Sequence, residues 1–214
     1  MSKIVNCKCK PKKLNIYLDL DETLLHSIPL EVFNNLDSKT KKGLKSKYSY
    51  EYMDNIFIVF LRPGLYEFLA FLKNNTDKFT INVWTAATKS YADYIIISIF
   101  QKHFPIPIQY RLHRDHVKWS HHNMSSPKDL NALHNKYNLK DHCSCNTIII
   151  DDLDKVYNAD QYHSIPIKQF LASPDKSDNE LTRVKKILLK IYEKCFNSST
   201  NSKSVSKCVN KNIS

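Results

Sequence analysis

Glycine is nearly absent from this sequence. Only two of its 214 residues are glycines, Gly43 and Gly64. Two phosphate-binding motifs need clustered glycines: Gly-x-Gly-x-x-Gly in dinucleotide-binding folds and Gly-x4-Gly-Lys-Ser/Thr in Walker-type ATPases. Neither motif can be written anywhere in the chain. The sequence therefore argues against a nicotinamide-dependent dehydrogenase and against a Walker-type ATPase.

Acidic residues are absent from both ends of the chain. Residues 1–13 carry five lysines and residues 197–214 carry three, so most of the formal charge of +11 lies in two basic tails. Such tails could bind nucleic acid through release of counterions. An A/T-rich genome would also produce a chain rich in Lys, Asn and Ile without any selection for binding. We favour this compositional explanation, and we expect the polar C-terminal tail to be disordered.

Long apolar segments are missing as well. The N-terminus lacks the apolar core of a signal peptide, and the longest apolar runs are too short to span a bilayer. Four of the six cysteines form two Cys-x-Cys pairs, which are not the Cys-x2-Cys brackets of structural zinc sites. We therefore expect an intracellular protein, in the nucleus or the cytoplasm, with no membrane partner. The composition fits an A/T-rich microbial eukaryote or a large DNA virus, and a viral protein would act in the host cell.

Apolar strand-like runs alternate with helical patterns between the tails. Strands are predicted over 14–18, 56–61, 79–84 and 147–150, and helices after Pro63 and over 89–103, 128–138 and 178–196. This alternation indicates one α/β domain over residues 14–196, with a Rossmann-like, mostly parallel central sheet and helices on both faces. The segments 36–55 and 104–126 interrupt the pattern. We expect them to be short insertions with a small β element, and no large cap domain.

Two acids follow the first predicted strand directly. Asp19 and Asp21 would thus lie at the strand's carboxyl end, where open α/β sheets bind their ligands. On a tight turn one acid could be a nucleophile and the other a general acid. An Asp-x-Asp pair alone would equally fit a solvated turn.

Polar residues at the ends of two further strands favour a catalytic pair over a solvated turn. Thr85 follows the strand that ends at Trp84, and Asp151 and Asp152 follow the strand over 148–150. Carboxylates suit a hard cation, and a hydroxyl suits a phosphate oxygen. Lys128, at the start of a predicted helix, could supply positive charge. Together these residues predict a site for phosphate and Mg2+.

Six segments of the chain resemble one known family in order and spacing. They are DLDETLLHS at 19–27, LRPGLYEFL at 61–69, VWTAATKSYADYI at 83–95, YRLHRDHV at 110–117, KDL at 128–130 and IIIDDLDKVY at 148–157. With them the sequence is similar to the haloacid dehalogenase-type phosphatases. Within these it resembles the small phosphatases of the RNA polymerase II C-terminal domain and their NLI-interacting-factor-like relatives. The resemblance spans about residues 14–196.

The resemblance implies a role for each matched residue. Asp19 would attack phosphorus and form an aspartyl-phosphate, and Asp21 would protonate the leaving serine or threonine oxygen. Thr85 would donate to a phosphate oxygen, and Lys128 would offset negative charge. Mg2+ would be held by the Asp19 carboxylate, the main-chain carbonyl of Asp21 and an acidic side chain of the last motif. This division of work suits phosphoryl transfer, in which positioning and charge neutralisation dominate.

The last motif departs from the pattern of the small phosphatases, which is usually Asp-Asn. This chain has Asp151-Asp152, and we expect Asp152 to be the metal ligand and Asp151 to pair with Lys128 or to assist. The candidate substrate-binding residues are Thr23, Arg114, Tyr110 and Trp119. Tyr110 and Trp119 could line an apolar pocket, or could simply pack the insertion.

The sequence thus predicts a Mg2+-dependent phosphoserine or phosphothreonine protein phosphatase. The C-terminal repeats of RNA polymerase II are one candidate substrate. Two alternatives remain open: a phosphatase of nucleic-acid ends or small phosphate esters, and a catalytically silent module that binds a peptide. The complete set of motif residues argues against the silent module.

Overall fold

The computed structural model describes residues 12–116, 128, 130, 133, 137–139, 141–142 and 145–196, and the structural statements below concern these residues. The strands are β1 (Leu14–Leu18), β2 (Leu25–Pro29), β3 (Tyr50–Met53), β4 (Phe57–Leu61), β5 (Phe79–Trp84), β6 (Ile108–Leu112), β7 (Thr147–Asp151) and β8 (Ser164–Pro166). The helices are α1 (Leu30–Asn34), α2 (Ser38–Lys47), α3 (Leu65–Lys73), α4 (Lys89–Ile95), α5 (Asp154–Ala159) and α6 (Glu180–Phe196). A π-helical segment, Ile96–Gln101, continues α4, and a short 3-10 helix spans Arg114–His116. Both predicted tails lie almost wholly outside the described residues, and so does most of the helix predicted over 128–138.

Five parallel strands form the central sheet in the order β6-β5-β1-β7-β8. The strand β1 lies in the middle and is buried at all five positions. Side chains alternate across it, so that Leu14, Ile16 and Leu18 join the large core on one face while Tyr17 joins a smaller cluster on the other. A parallel sheet needs cover on both faces, which explains the continuous apolar runs of its strands.

Helices supply that cover. Residues of α3, α4 and α6 pack into the large core, and Val156 of α5 packs into the smaller cluster beside Trp84 and Ile149. The predicted α/β architecture, with a central parallel sheet and helices on both faces, is confirmed. Within the described residues, no helix is both long enough and apolar enough to cross a membrane.

A second, three-stranded antiparallel sheet of order β2-β4-β3 follows β1 in the chain. Phe60 and Ile58 of β4 face a third cluster with Phe33 of α1 and Leu44 of α2, while Val59 faces the main core. The predicted strand over 56–61 is therefore real, but it belongs to this small sheet. Its apolar run reflects burial on both faces, as in the central sheet.

The segment 104–126 also differs from the prediction. Part of it is β6, which pairs with β5 and forms an edge of the central sheet, so this part is not an insertion. Leu112 is buried, whereas Gln109 and Arg111 are exposed. An edge strand such as β6 buries few of its side chains, so its sequence lacks a continuous apolar run.

Candidate active site

The carboxyl ends of three neighbouring strands bring the predicted site residues together. Asp19 directly follows β1, Thr85 directly follows β5, and Asp151 ends β7. The strands lie side by side in the order β5-β1-β7 and run parallel, so all three residues meet at one edge of the sheet. The three side chains are buried.

Lys128 joins two of these carboxylates. Its ammonium donates to Oδ1 of Asp19 and to Oδ2 of Asp151, the latter over 2.7 Å, and its side chain is 3% exposed. Burial alone would lower the pKa of Lys128, but the charges of Asp19 and Asp151 outweigh it and raise that pKa. Lys128 therefore stays charged, and the pairing of Asp151 with Lys128 is confirmed.

Three carboxylates form a group with the chemistry of a hard-cation site. One oxygen from each of Asp19, Asp151 and Asp152 lies within 4.8 Å of the others. Burial raises the pKa of Asp152 to about 6; it also raises the pKa of Asp19, where Lys128 opposes the rise and the nearby charge of Asp151 adds to it. A divalent cation would relieve this crowding of negative charge. The oxygen-only donor set fits Mg2+, which favours carboxylates.

Thr23 holds the acidic loop in place. Its hydroxyl donates to Oδ1 of Asp152 over 2.9 Å and accepts from the Asp152 main-chain N–H over 3.1 Å. This reciprocal pair ties the turn after β1 to the loop after β7. The Thr23 side chain is fully buried and faces Asp152. The structure thus places Thr23 as a support of the acidic loop instead of the substrate contact expected from the sequence.

Asp21 is half-buried and accepts a hydrogen bond on Oδ1 from the hydroxyl of Tyr91, a residue of α4. Burial raises the pKa of Asp21 to about 6, although the bond from Tyr91 favours the ionised form. A carboxyl group whose pKa lies this close to neutrality can both give and take a proton. Tyr91 is not recognisable as a site residue from the sequence, because its spacing fits the apolar face of the helix equally well.

Thr85 is oriented by the loop that follows it. Its hydroxyl oxygen accepts the main-chain N–H of Ala87 over 3.1 Å, and its own N–H donates to the carbonyl of Leu112 over 3.0 Å. A hydroxyl has one hydrogen to donate besides the lone pairs that accept. With one lone pair engaged by Ala87, that hydrogen can be given to a phosphate oxygen.

Arg62 holds the turn after β1 by hydrogen bonds from its buried guanidinium. Its guanidinium donates to the carbonyls of Thr23 over 2.7 Å and Lys168 over 2.6 Å, and it pairs with Asp178 over 2.8 Å. Its side chain is 0% exposed. The sequence, with Arg62 before Pro63-Gly64, predicts a structural partner for a loop carboxylate, and this is confirmed.

The remaining candidates for substrate binding are spread out. Arg114 is exposed, and its Nε donates to the carbonyl of Ala86 over 3.1 Å, next to the Thr85 loop. Tyr110 instead packs edge-on against His142, with ring centroids 5.0 Å apart, on a face of the sheet. The structure thus favours the packing role for Tyr110. Trp119 lies outside the described residues.

Comparison with known proteins defines the class to which this fold and site belong. Residues 14–199 match the sequence model of the NLI interacting factor-like phosphatases. The match covers most of the chain, and the chain belongs to this family. It is therefore a phosphatase-family protein with a haloacid dehalogenase fold.

Two viral relatives extend the match over nearly their whole lengths. A CTD phosphatase-like protein, 355R, of Invertebrate iridescent virus 6 is 32% identical over 180 residues, covering 81% of this chain and 96% of the relative. The protein of the same name in Invertebrate iridescent virus 3 is 31% identical over 190 residues, covering 83% and 96%.

Solved structures agree on the fold. Fcp1, an essential RNA polymerase II CTD phosphatase, matches 94% of this chain and 70% of its own chain, with a TM-score of 0.62 and 17% identity. A variant of fission yeast Fcp1 bound to beryllium fluoride gives a TM-score of 0.60 and 16% identity over the same shares. At such low identity these likenesses describe the fold alone.

Proposed function

We propose that this protein is a Mg2+-dependent protein phosphatase that removes phosphate from phosphoserine and phosphothreonine through an aspartyl-phosphate on Asp19. The single observation that carries the proposal is the buried group at the carboxyl ends of β1, β5 and β7. In this group Lys128 donates to Asp19 and Asp151, and the carboxylates of Asp19, Asp151 and Asp152 lie close together. Asp21 lies two residues after Asp19 in the chain.

In the first step an oxygen of Asp19 attacks phosphorus and the bond from phosphorus to the serine oxygen breaks. Asp21 gives its proton to that oxygen, so that a neutral hydroxyl leaves. Lys128 offsets charge on Asp19 and on the phosphoryl group, and Thr85 donates to a phosphoryl oxygen. Such positioning and charge neutralisation suit phosphoryl transfer, which needs little covalent chemistry from the protein.

In the second step water attacks the phosphorus of the aspartyl-phosphate, and Asp21 takes the proton from that water. Phosphate leaves and Asp19 returns to its free form. The residues proposed to hold Mg2+ are Asp19, Asp152 and, by its main-chain carbonyl, Asp21, with Asp151 held by Lys128. When bound, Mg2+ would supply charge neutralisation for the transferring phosphoryl oxygens.

The proposed substrate is a phosphorylated protein. The iridescent-virus relatives are called CTD phosphatase-like, and Fcp1 is an RNA polymerase II CTD phosphatase. We therefore take the phosphorylated C-terminal repeats of RNA polymerase II as the first candidate, with the host cell as the place of action. Within the described residues, the small sheet β2-β4-β3 is the only sheet besides the central one.

The test is phosphate release from a doubly phosphorylated serine heptad peptide, with Mg2+ and with EDTA, by the wild type and Asp19→Asn. We expect release that needs both Mg2+ and Asp19. Release by Asp19→Asn at the wild-type rate would overturn the nucleophile. Cleavage of a 3′-phosphorylated oligonucleotide instead of the peptide would favour nucleic-acid ends as substrate, and stoichiometric peptide binding without turnover would indicate a silent module.

A further inference from the structure

The hydrogen bond between Tyr91 and Asp21 connects two elements of the site. Tyr91 lies on α4, after β5, and Asp21 lies on the turn after β1. Tyr91 is 8% exposed, and the ring of Phe57 packs edge-on against its own, with centroids 6.0 Å apart. The phenol therefore reaches the carboxyl group from a fixed ring position.

The direction of this bond follows from counting hydrogens. The Tyr91 oxygen lies within hydrogen-bond reach of two groups, Oδ1 of Asp21 and Oγ of Ser27. A phenol has one hydrogen, and both oxygens of Asp21 only accept while its carboxyl group is ionised, which is the state in which it takes up a proton. Tyr91 therefore donates to Asp21, and Ser27 donates to Tyr91.

This arrangement makes the two oxygens of Asp21 unequal. Oδ1 is occupied as the acceptor of the Tyr91 hydroxyl, so Oδ2 is the oxygen that can carry the proton for transfer. Rotation of the carboxyl group would break the bond to Tyr91. The side-chain torsion of Asp21 is thereby restrained in the orientation that keeps Oδ1 on the Tyr91 hydroxyl.

We propose that Tyr91 is a positioning residue for proton transfer: it fixes which oxygen of Asp21 carries the proton to the leaving group. The proposal rests on the proposed function, in which Asp21 is the general acid. It assigns to Tyr91 no contact with the phosphoryl group.

The role has a signature that packing alone would not produce. A serine alkoxide leaves only when a proton is supplied, whereas p-nitrophenolate leaves readily without one. Loss of the Tyr91 hydroxyl should therefore slow cleavage of a phosphoserine ester and spare cleavage of p-nitrophenyl phosphate. The second step is common to both substrates, so the measurement must follow release of the leaving group.

The experiment is a single-turnover assay with enzyme in excess and Mg2+ present, comparing the wild type with Tyr91→Phe. It follows release of the dephosphorylated peptide from a phosphoserine peptide and of p-nitrophenolate from p-nitrophenyl phosphate. We expect Tyr91→Phe to be about tenfold slower on the peptide and to change by less than about twofold on p-nitrophenyl phosphate. Ser27→Ala should shift the ratio of the two rates in the same direction by less.

The matched control is Tyr94→Phe, a tyrosine on the same helix whose hydroxyl donates to the carbonyl of Tyr52. It should leave both rates unchanged. Because the ratio of two rate constants does not depend on the fraction of folded enzyme, partial unfolding of Tyr91→Phe cannot imitate the expected result. Equal slowing of both substrates, or no slowing of either, would overturn the role of Tyr91.

Two further variants separate this proposal from the proposed function. Asp19→Asn should release neither leaving group, and Asp21→Asn should show a larger selective loss on the peptide than Tyr91→Phe. If Asp21→Asn behaves like the wild type on the peptide, the general acid is wrongly assigned and the proposed function fails. If Asp19→Asn and Asp21→Asn behave as expected and Tyr91→Phe is not selective, only the role of Tyr91 fails.

Discussion

Lys128 is the residue on which the charge balance of the site depends. It is the only described cation that touches Asp19 or Asp151, and all three groups are buried. A buried charge is tolerated when it is paired, and removal of one partner leaves the other uncompensated. Lys128 thus has a structural role, which is to compensate the charge of two buried carboxylates.

Replacing Lys128 by Met should accordingly destabilise the protein. We expect a loss of about 3–5 kcal/mol in the free energy of unfolding without divalent cation, because two buried carboxylates lose their counter-charge. Urea unfolding followed by circular dichroism measures it. Lys155→Met, at an exposed position of α5, is the control and should cost less than about 0.5 kcal/mol. A similar stability for the two variants would contradict the pairing.

Thr85 offers a second test at this scale. We expect Thr85→Val to lower kcat on the phosphopeptide about 100-fold, because valine keeps the shape but has no hydroxyl to donate to the transition state. Thr85→Ser, which keeps the donor, should retain most of the activity. Steady-state kinetics with both variants decides the point, and equal losses would assign Thr85 to packing instead.

At the scale of elements, two buried connections fix the loops that carry the site. Arg62, after β4, holds the turn after β1 through the carbonyl of Thr23, and Thr23 in turn holds Asp152 in the loop after β7. Three segments far apart in sequence are thereby held together next to the candidate active site. Asp178, just before α6, completes the connection.

Arg62→Met should therefore cost far more stability than the loss of a surface ion pair. We expect about 3 kcal/mol in urea unfolding, because the Arg62 side chain is 0% exposed and its removal takes the guanidinium away from the buried Thr23 carbonyl and from the carboxylate of Asp178. The matched control is Arg183→Met on α6. Arg183 also pairs with an acid, Glu180, but its side chain is 37% exposed, so its pair should contribute about 1 kcal/mol or less. Equal costs for the two arginines would contradict the role given to Arg62.

His142, which lies beside Tyr17 on one face of the central sheet, should make the stability of the protein depend on pH. Burial lowers the pKa of His142 to about 4, and its Nδ1 lies 2.8 Å from the Tyr17 hydroxyl. The unfolded chain takes up a proton below about pH 6.5, while the folded protein does not until about pH 4. The contribution of His142 to stability is therefore complete above pH 6.5 and declines as the pH falls toward 4.

The measurement is urea unfolding of the wild type and His142→Gln across this range. The difference in stability between the two should shrink from pH 7 to pH 4. A constant difference for His142→Gln would show that His142 titrates as it does in the unfolded chain.

The sequence predicts those parts of the fold and site that depend on strand order alone. Asp19, Thr85 and Asp151 were placed together because each ends an apolar run, and parallel strands bring their carboxyl ends to one edge. The partners Thr23–Asp152 and Tyr91–Asp21 depend on contacts between side chains 129 and 70 residues apart, which no local pattern encodes. The strand β6 lies in a segment predicted to be an insertion with a small β element, and its place at the edge of the central sheet depends on its pairing with β5, which no apolar run in 108–112 indicates.

At the scale of the whole molecule, the cluster of Asp19, Asp151 and Asp152 brings together the ends of β1 and β7 in the centre of the sheet. A ligand that binds only the folded state stabilises the whole domain. We expect Mg2+ at millimolar concentration to raise the midpoint of thermal unfolding of the wild type by several degrees. Asp152→Asn should lose most of this shift.

Asp154→Asn is the control for that measurement, since Asp154 is an exposed acid two residues beyond Asp152. It should keep the full shift with Mg2+. A shift in Asp152→Asn as large as that of the wild type would place the cation elsewhere.

The salt link from Lys128 to Asp19 and Asp151 also bears on the order in which ligands bind. With Asp152 included, three carboxylates against one ammonium leave two formal negative charges at the bottom of the site. A phosphate monoester is close to a dianion at neutral pH, so this excess would repel it until a divalent cation had cancelled the charge. Under the proposed function we therefore expect ordered addition, with cation first and phosphoester second, and inhibition by inorganic phosphate only of the cation-loaded protein.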